Sequence, residues 1–412
     1  MVKVKTYENG LKVIVNEIEY VKSVTMGIMV GVGSANETKE ENGISHFIEH
    51  VNFKGTNKRT AFDISDEIDC IGAQINAFTS KDVTCYYVKC IDEHAEKSFE
   101  ILSDIFLNST YPAEELDKER GVIIEEINMT EDTPDDLCID KLATAYFGES
   151  GYGATILGPI ENAMRFNKDD ILAYRKKYYQ PANTVISFAG KITFEEVCAL
   201  VEKYFSDYKS DGVFTRTNIQ TLCLNNNVAV DKSIEQAHIG IAIPSINMTS
   251  DDKAAALCLS SILGGGMSSR LFQSVREKLG LAYSVFSAIS TFKETGVLYV
   301  YAGVNPKTIE SAYNCILNEI NNLSKNGITL KELNRAKEQI KGSTALSSES
   351  TSSLMMSYGK RLLLSNEIFD VEKELKKLSS LTLEEVNEVA KRWFNTENMS
   401  TSIVAKNAKP LR

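Results

Sequence analysis

Short segments in which apolar and polar residues alternate cover much of the first ninety positions. Such alternation is typical of β-strands that bury one face. The first two segments flank the turn sequence Glu8-Asn9-Gly10, and together they predict a β-hairpin. The segments predicted as strands are 2–7, 11–15, 24–33, 73–80 and 83–90.

Other segments of the same half show helical periodicity, with apolar residues at intervals of three and four. The polar stretch 34–42 is predicted as a loop, and a further helix is expected to begin after it. The segments with helical periodicity are 61–71, 94–107 and 112–129.

The second half of the chain repeats this order of elements at a nearly constant offset. The strand and helix at Tyr87 resemble those at Tyr299, and a repeat of this kind predicts two copies of one folding unit. The other matching pairs are Glu115-Leu116 with Glu332-Leu333 and Tyr178-Tyr179 with Trp393-Phe394.

The repeat sets the expected domain organisation. We predict an α+β chain with domains at 1–210 and 228–412, joined by a linker at 211–227. Each domain is expected to be an α/β sandwich in which an antiparallel-rich sheet carries helices packed on one face.

The segment His46-Phe47-Ile48-Glu49-His50 stands out because the whole chain has only 4 histidines. On a helix, His46, Glu49 and His50 would lie on one face. Two imidazoles suit Zn²⁺, and a carboxylate beside them suits a general base. The order His-x-x-Glu-His is the reverse of the usual metalloprotease helix, the inverzincin pattern.

The alternative is a surface helix that happens to carry two histidines. It fits poorly, because the remaining residues are apolar and predict a buried helix, in which polar groups need partners. A metal ion is the simplest such partner. These apolar residues are Ile44, Phe47, Ile48 and Val51.

Two histidines still need a third ligand, and the acidic helix over 112–129 offers candidates. Glu119 and Glu126 are seven residues apart and therefore share one face of that helix. Glu125 points roughly 100° away from Glu126 and is expected to be exposed to solvent. Glu126 is thus the candidate third ligand. The other histidines, His94 and His238, are not expected to bind a metal.

Composition narrows the class of protein. The 412 residues carry a formal net charge of −11 without a basic block, which argues against nucleic-acid binding. The 8 cysteines include no Cys-x-x-Cys pair and are expected to be reduced, buried thiols. The chain shows neither an apolar signal core nor an 18-residue apolar run, so we predict a cytoplasmic protein without a membrane segment. Non-classical export stays open.

The second half lacks a counterpart of the histidine segment. Its candidate functional stretch follows Gly264-Gly265-Gly266 and contains Arg276 and Tyr283, a cation and a phenol on either side of a glycine-containing turn. Spacing alone favours ordinary surface at the end of a helix.

The chain resembles the M16 (pitrilysin/insulinase) metallopeptidases over nearly its whole length. Within that family it resembles the compact group that includes mitochondrial processing peptidase β-subunits and bacterial relatives. Val51-Asn52 departs from the apolar residues usual there, which concerns packing. The resemblance rests on His46–His50, Phe53–Thr56, Asn76–Thr79, Glu119–Ile127, Leu157-Gly158, Tyr178–Asn183 and Gly264–Phe272 with Arg276 to Tyr283.

The resemblance implies a role for each matching residue. His46, His50 and Glu126 would bind one Zn²⁺ per chain, with Glu49 as general base. Glu119 would support a ligand histidine or the local charge balance. Asn76, Ala77 and Phe78 would bind substrate, on an edge strand that pairs with extended peptide. Arg276 and Tyr283 are implied as catalytic residues that reach the substrate and the transition state from the far side of the chamber.

The resemblance further implies a zinc endopeptidase that cleaves short or unstructured peptides inside a chamber closed by two chains. The partner would be a second copy, or a related M16 subunit. One alternative is a non-catalytic scaffold or peptide-binding subunit, which usually loses the histidines and glutamates that are intact here. A zinc hydrolase for non-peptide substrates is the other, and the strand-pairing segment argues against it.

Overall fold

The alternating segments of the first half form a mixed sheet. In the computed structural model, which describes residues 2–210, 214–215, 219 and 221–411, its strands are β1 (Val2–Thr6), β2 (Lys12–Glu17), β3 (Ser23–Val30), β4 (Gln74–Thr79), β5 (Thr84–Ile91) and β6 (Thr184–Gly190). They pair in the order β1-β2-β6-β3-β5-β4, so β4 is an edge strand. Only β2 and β6 run parallel among these described strands. The predicted β1–β2 hairpin is confirmed.

The helices of this half lie between the strands in the chain. The predicted loop at 34–42 is followed by a short helix that carries the histidine segment. The helices are α1 (Ile44–Val51), α2 (Ala61–Cys70), α3 (Ala95–Asn108), α4 (Ala113–Asp132), α5 (Pro134–Phe147), α6 (Ile160–Arg165), α7 (Lys168–Tyr178) and α8 (Phe194–Phe205).

A second sheet has the same arrangement. Its strands are β7 (Asn227–Asp231), β8 (Ala237–Ser245), β9 (Ala282–Thr291), β10 (Gly296–Val304) and β11 (Ser400–Ala405). Their order is β7-β11-β8-β10-β9, which matches β2-β6-β3-β5-β4 strand for strand and includes a parallel pair at the same place. The predicted two-unit α+β fold is therefore confirmed.

Helices of the second half complete this repeat. A π-helical segment, Phe272–Lys278, precedes β9. The helices are α9 (Lys253–Gly264), α10 (Ile309–Asn326), α11 (Leu330–Ser347), α12 (Thr351–Ser365), α13 (Val371–Ser380) and α14 (Leu383–Trp393).

One face of each sheet is covered by helices from its own half of the chain. In the first sheet, Val24, Met26 and Ile28 of β3 belong to a buried core that includes Phe99 and Leu102 of α3. Because side chains alternate along a strand, the residues between them point to the opposite face.

That opposite face is covered by α12, a helix from the second half of the chain. Thr25 contacts Thr351 through their hydroxyl oxygens at 2.8 Å, and Ser187 of β6 donates to the Met355 carbonyl at 2.8 Å. Gly27 leaves room for the helix, because a Cβ there would lie 2.5 Å from the sulfur of Met355. The sequence predicts helices on one face and does not anticipate this second layer.

The second sheet has a reciprocal arrangement with α5, a helix from the first half. Gly240 of β8 faces this helix, and a Cβ there would lie 3.0 Å from Leu142 and 3.3 Å from the sulfur of Cys138. The other face of β8 belongs to the core of the second half, through Ile239, Ile241 and Ile243.

The two compact units therefore differ from the predicted continuous ranges 1–210 and 228–412. Asn128–Ala154 lies in the first half of the chain but belongs to the second unit. Ala345–Phe369 lies in the second half but belongs to the first unit. The physical reason is that each sheet buries its second face under a helix from the other half. Of the predicted linker at 211–227, residues 211–213, 216–218 and 220 lie outside the described residues.

Two predictions from composition can be compared with the structure. None of the described helices is both long enough and apolar enough to cross a bilayer. The eight cysteines, all of which lie in the described part of the chain, are free thiols. Cys70 and Cys223 are exposed, so the prediction of buried thiols is wrong for these two.

Candidate metal centre

The histidine helix α1 is buried along its apolar side, as predicted. Phe47, Ile48 and Val51 belong to the core of the first unit. His46 and His50 lie on the other side, with 12 % and 18 % of their side chains exposed, and their ring centroids are 4.6 Å apart. Burying one side of the helix therefore fixes the direction in which both imidazoles point.

A buried carboxylate holds the start of α1. Gly43 precedes the helix with a φ of +98° and offers no side chain as a cap. Glu37 takes over this role, because its carboxylate oxygens accept from the backbone amides of Gly43 at 2.7 Å and Ser45 at 2.9 Å. A negative charge at a helix N-terminus is also favoured by the helix dipole.

The other end of α1 is held by Asn52. Its side-chain oxygen accepts from the Tyr111 hydroxyl at 2.7 Å and from the Arg175 guanidinium at 3.2 Å. Its backbone carbonyl accepts from Ser109 at 2.7 Å. With both ends anchored, this eight-residue helix is a rigid support for its two histidines.

Glu126 of α4 faces both histidines. Its Oε2 atom lies 3.6 Å from Nε2 of His46 and 3.5 Å from Nε2 of His50. Among the described residues, these three are the group of histidine, cysteine and acidic side chains whose ligand atoms come close enough to hold one metal ion.

These separations fit a shared zinc ion. Two ligands on a tetrahedral zinc, each at about 2.0–2.1 Å, are roughly 3.3–3.5 Å apart. Burial, together with the nearby His50, lowers the pKa of His46 to about 3. Its Nδ1 has no hydrogen-bond partner among the described residues, so no acceptor there holds a proton on that nitrogen. A neutral imidazole is the form that binds a metal.

Glu119 lies seven residues before Glu126 on α4 and contacts Nδ1, the other ring nitrogen of His50. Its Oε2 lies 3.1 Å from Nδ1 of His50, and its Oε1 lies 2.7 Å from the ammonium of Lys54. Burial raises the pKa of Glu119, but the bonds to His50 and Lys54 outweigh it and lower the pKa overall. An ionised Glu119 directs the Nδ1 proton of His50 to itself and leaves the Nε2 lone pair toward Glu126.

This contact makes Glu119→Gln informative. We expect zinc affinity to fall by about 10- to 100-fold, the usual cost of losing a partner of a ligand histidine. Chelator competition measures this affinity, and Glu114→Gln, an exposed position on the same helix, is the control. Equal affinity in wild type and Glu119→Gln would show that the carboxylate does not support His50.

Glu49 lies beside the cluster without joining it. The Thr79 hydroxyl at the end of β4 donates to its Oε2 at 2.6 Å. Burial raises the pKa of Glu49, against the lowering effect of the Thr79 bond and the charge of His50. A carboxylate with a raised pKa is better matched to proton transfer near neutral pH.

The three residues predicted to bind substrate lie on the edge strand β4. Asn76 is exposed, and its side-chain oxygen accepts from the backbone amide of Ala77 at 2.8 Å. Phe78 lies next to Tyr87 of β5, with ring centroids 6.4 Å apart. Helix α1 packs against β4, so the histidine helix and this edge belong to one local structure.

Arg276 and Tyr283 belong to the second unit. The Arg276 guanidinium lies 5.1 Å from the Tyr283 ring and 4.7 Å from the Phe272 ring, which are cation–π distances. Tyr283 is 78 % exposed. Arg276 and Tyr283 are therefore in contact, as the prediction of a pair requires, and the Tyr283 side chain is exposed to solvent.

The remaining candidates lie outside the cluster. Glu125 is exposed, as predicted from its helical position. His238 is a strand histidine with a partner, because its Nδ1 lies 2.7 Å from the Tyr301 hydroxyl. His94 lies at the start of α3.

Three residues around the cluster were missed by reasoning from the sequence. The spacing of four residues between His50 and Lys54 could have indicated that Lys54 lies near the cluster. Thr79 was noted only as part of a family motif, and its contact with Glu49 depends on the strand pairing. Glu37 stands in a polar stretch predicted as a loop, and no local pattern indicates that its carboxylate is buried.

The fold and this cluster define the class: an α+β protein built from two similar units, with a candidate histidine–carboxylate metal centre in the first. The chain belongs to the insulinase family of peptidases, family M16. Residues 12–160 match the model described as insulinase (peptidase family M16), and residues 165–340 match the model described as peptidase M16 inactive domain.

Similar proteins cover the chain almost end to end. An uncharacterized zinc protease of Bacillus subtilis, YmxG, is 40% identical over 98% of both chains. An uncharacterized zinc protease of Streptomyces coelicolor is 37% identical over 94% of this chain and 86% of its own. The crystal structure of a protease from Helicobacter pylori has a TM-score of 0.92 at 24% identity, over 98% of this chain and 99% of that one, which shows the fold.

Proposed function

We propose that this chain is a zinc-dependent endopeptidase that cleaves short or unstructured peptides. The observation that carries the proposal is the convergence of His46, His50 and Glu126 with a nearby carboxylate, Glu49, that is not one of the three. The family membership and the names of the relatives as zinc proteases support the same activity.

His46, His50 and Glu126 would hold one Zn²⁺ per chain. When bound, zinc acts as a Lewis acid that polarises the scissile carbonyl and makes water a better nucleophile near neutral pH. Glu119 orients His50 for this purpose through its Nδ1 atom. The three residues all lie in the first unit and outside residues 165–340, the range that matches the inactive domain.

Glu49 would act as the general base. It accepts the proton of the attacking water and later returns it to the leaving amine, which balances the protons of peptide hydrolysis. Its partial burial supports this role, because burial raises its pKa and brings proton transfer closer to neutral pH.

Strand β4 would hold the peptide. An edge strand has a row of backbone groups available for pairing, and an extended peptide can add to it as a further strand. Asn76, Ala77 and Phe78 would form this edge beside α1. A substrate held in this way must be extended, which favours short or unstructured peptides over folded proteins.

Arg276 and Tyr283 would contact the substrate from a second chain. In this proposal two copies, or this chain and a related subunit, close a chamber around the peptide. The exposure of Tyr283 and its contact with Arg276 support a role in binding another molecule. A phenol can donate a hydrogen bond to an oxyanion, and a guanidinium can bind a carbonyl or carboxylate.

Metal analysis and peptide cleavage test the proposal together. We expect about one zinc per chain, cleavage of a quenched peptide library with defined sites by intact mass, and loss of activity with a chelator that zinc reverses. Zinc without peptide cleavage would instead indicate a non-catalytic peptide-binding subunit or a hydrolase for other substrates. A protein that takes up no zinc would refute the metal centre itself.

A further inference from the structure

Thr79 connects the edge strand β4 to Glu49. It is the last residue of the strand, and its hydroxyl donates to Oε2 of Glu49 at 2.6 Å, a short bond of the kind formed with a charged acceptor. The proposed function uses Glu49 as the base and β4 as the peptide-binding edge, but it gives no role to Thr79, which links the two.

The donor is held firmly in place. Thr79 pairs with Thr84 of β5, and the backbone amide of Ser80 closes the turn by donating to the Val83 carbonyl at 2.8 Å. The Thr84 hydroxyl donates to the Val32 carbonyl at 2.9 Å, so it does not compete for Glu49. A β-branched side chain also has a restricted χ1 angle. The hydroxyl therefore presents a fixed hydrogen bond to the carboxylate.

The acceptor needs such a partner. Glu49 lies on α1 between the two histidines in the sequence and is partly buried. A carboxylate there has two oxygens that could turn toward a metal ion or toward a water molecule. Holding one oxygen leaves the other with a defined direction, and a fixed direction is what efficient proton transfer requires.

We propose that Thr79 is a positioning residue whose hydroxyl holds Oε2 of Glu49, so that Oε1 is aimed at the attacking water. Because Thr79 also ends β4, it sets the distance between the base and a peptide paired with that strand. This inference rests on the proposed function and adds to it the element that aligns base and substrate.

Thr79→Val is the direct test, since valine keeps the shape and the strand preference but lacks the hydroxyl. We expect kcat for a quenched peptide to fall about 10- to 100-fold, a part of the 10²–10⁴-fold that a general base contributes. KM and zinc affinity should stay within about twofold, because neither the β4 backbone nor the three candidate ligands change. Thr79→Ser keeps the donor and should recover most of the lost kcat.

A double-mutant cycle with Glu49→Gln separates this role from a structural one. If Thr79 acts through Glu49, Thr79→Val should cause no further loss of kcat in the Glu49→Gln background. Unfolding of the metal-free variants gives a second readout. The two substitutions should be non-additive because both change the same hydrogen bond, Thr79→Val by removing its donor and Glu49→Gln by replacing its charged acceptor with a neutral amide. Additive effects in both measurements would overturn the inference.

The two proposals fail in different ways. A wild-type protein that binds zinc but cleaves no peptide would refute the proposed function, and this inference with it. An active wild type together with an equally active Thr79→Val variant would refute only the inference.

Discussion

Glu49→Gln is expected to lower kcat for peptide cleavage by about 10²–10⁴-fold while zinc content stays at the wild-type level. Glutamine has nearly the same size and still offers an oxygen to the Thr79 hydroxyl, so the local packing should survive. It cannot accept a proton from water at neutral pH. The measurement is steady-state cleavage of a quenched peptide, with metal content determined on the same samples.

Glu40→Gln is a matched control for this variant. Glu40 is exposed in the loop before α1, and the substitution removes the same charge from the same region. Its kcat should match that of the wild type. Normal turnover by Glu49→Gln would exclude Glu49 as the base, and loss of zinc from that variant would make Glu49 part of the metal centre instead.

Glu126→Ala is expected to weaken zinc binding by at least about 100-fold. Structural zinc sites have binding free energies on the order of 10 kcal/mol, so one ligand of three accounts for several kcal/mol. Cleavage activity should disappear at zinc concentrations that saturate the wild type. Chelator competition gives the affinity, and activity measured against added zinc shows whether excess metal restores the enzyme.

The neighbouring position supplies a sharp control. Glu125→Ala removes an identical side chain and charge from the same turn of α4, but Glu125 is exposed to solvent. We expect its zinc affinity to be unchanged. A crystal structure of the zinc-loaded protein in which Glu126 points away from the metal would contradict the ligand set.

Helical periodicity could place Glu119 and Glu126 on one face of α4 but could not distinguish their roles. In the structure the two glutamates face different ring nitrogens of His50. Glu119 contacts Nδ1 of His50 and is paired with Lys54, whereas Glu126 faces Nε2 of both histidines. This division depends on how α4 packs beside α1, and spacing within one helix carries no information about that.

The strands could be predicted because their signal is local. Alternation around Glu8-Asn9-Gly10 predicted the β1–β2 hairpin, and the segments predicted as strands at 73–80 and 83–90 correspond to β4 and β5. The placement of α5 and α12 could not be predicted in this way. Each helix packs against a glycine on a strand that is far from the helix in the sequence: α5 packs against Gly240, and α12 packs against Gly27.

The amino-acid sequence alone predicts the repeat, the two-unit α+β fold and the helix that presents His46, Glu49 and His50 on one face, because periodicity and turn chemistry are local properties. Three further features depend on tertiary packing: which acid faces which histidine nitrogen, which hydroxyl holds Glu49 and which helix covers which sheet. These contacts join residues 30 or more positions apart, such as Thr79 with Glu49 and Thr25 with Thr351. Packing of the whole unit brings such groups together, and no short pattern records it.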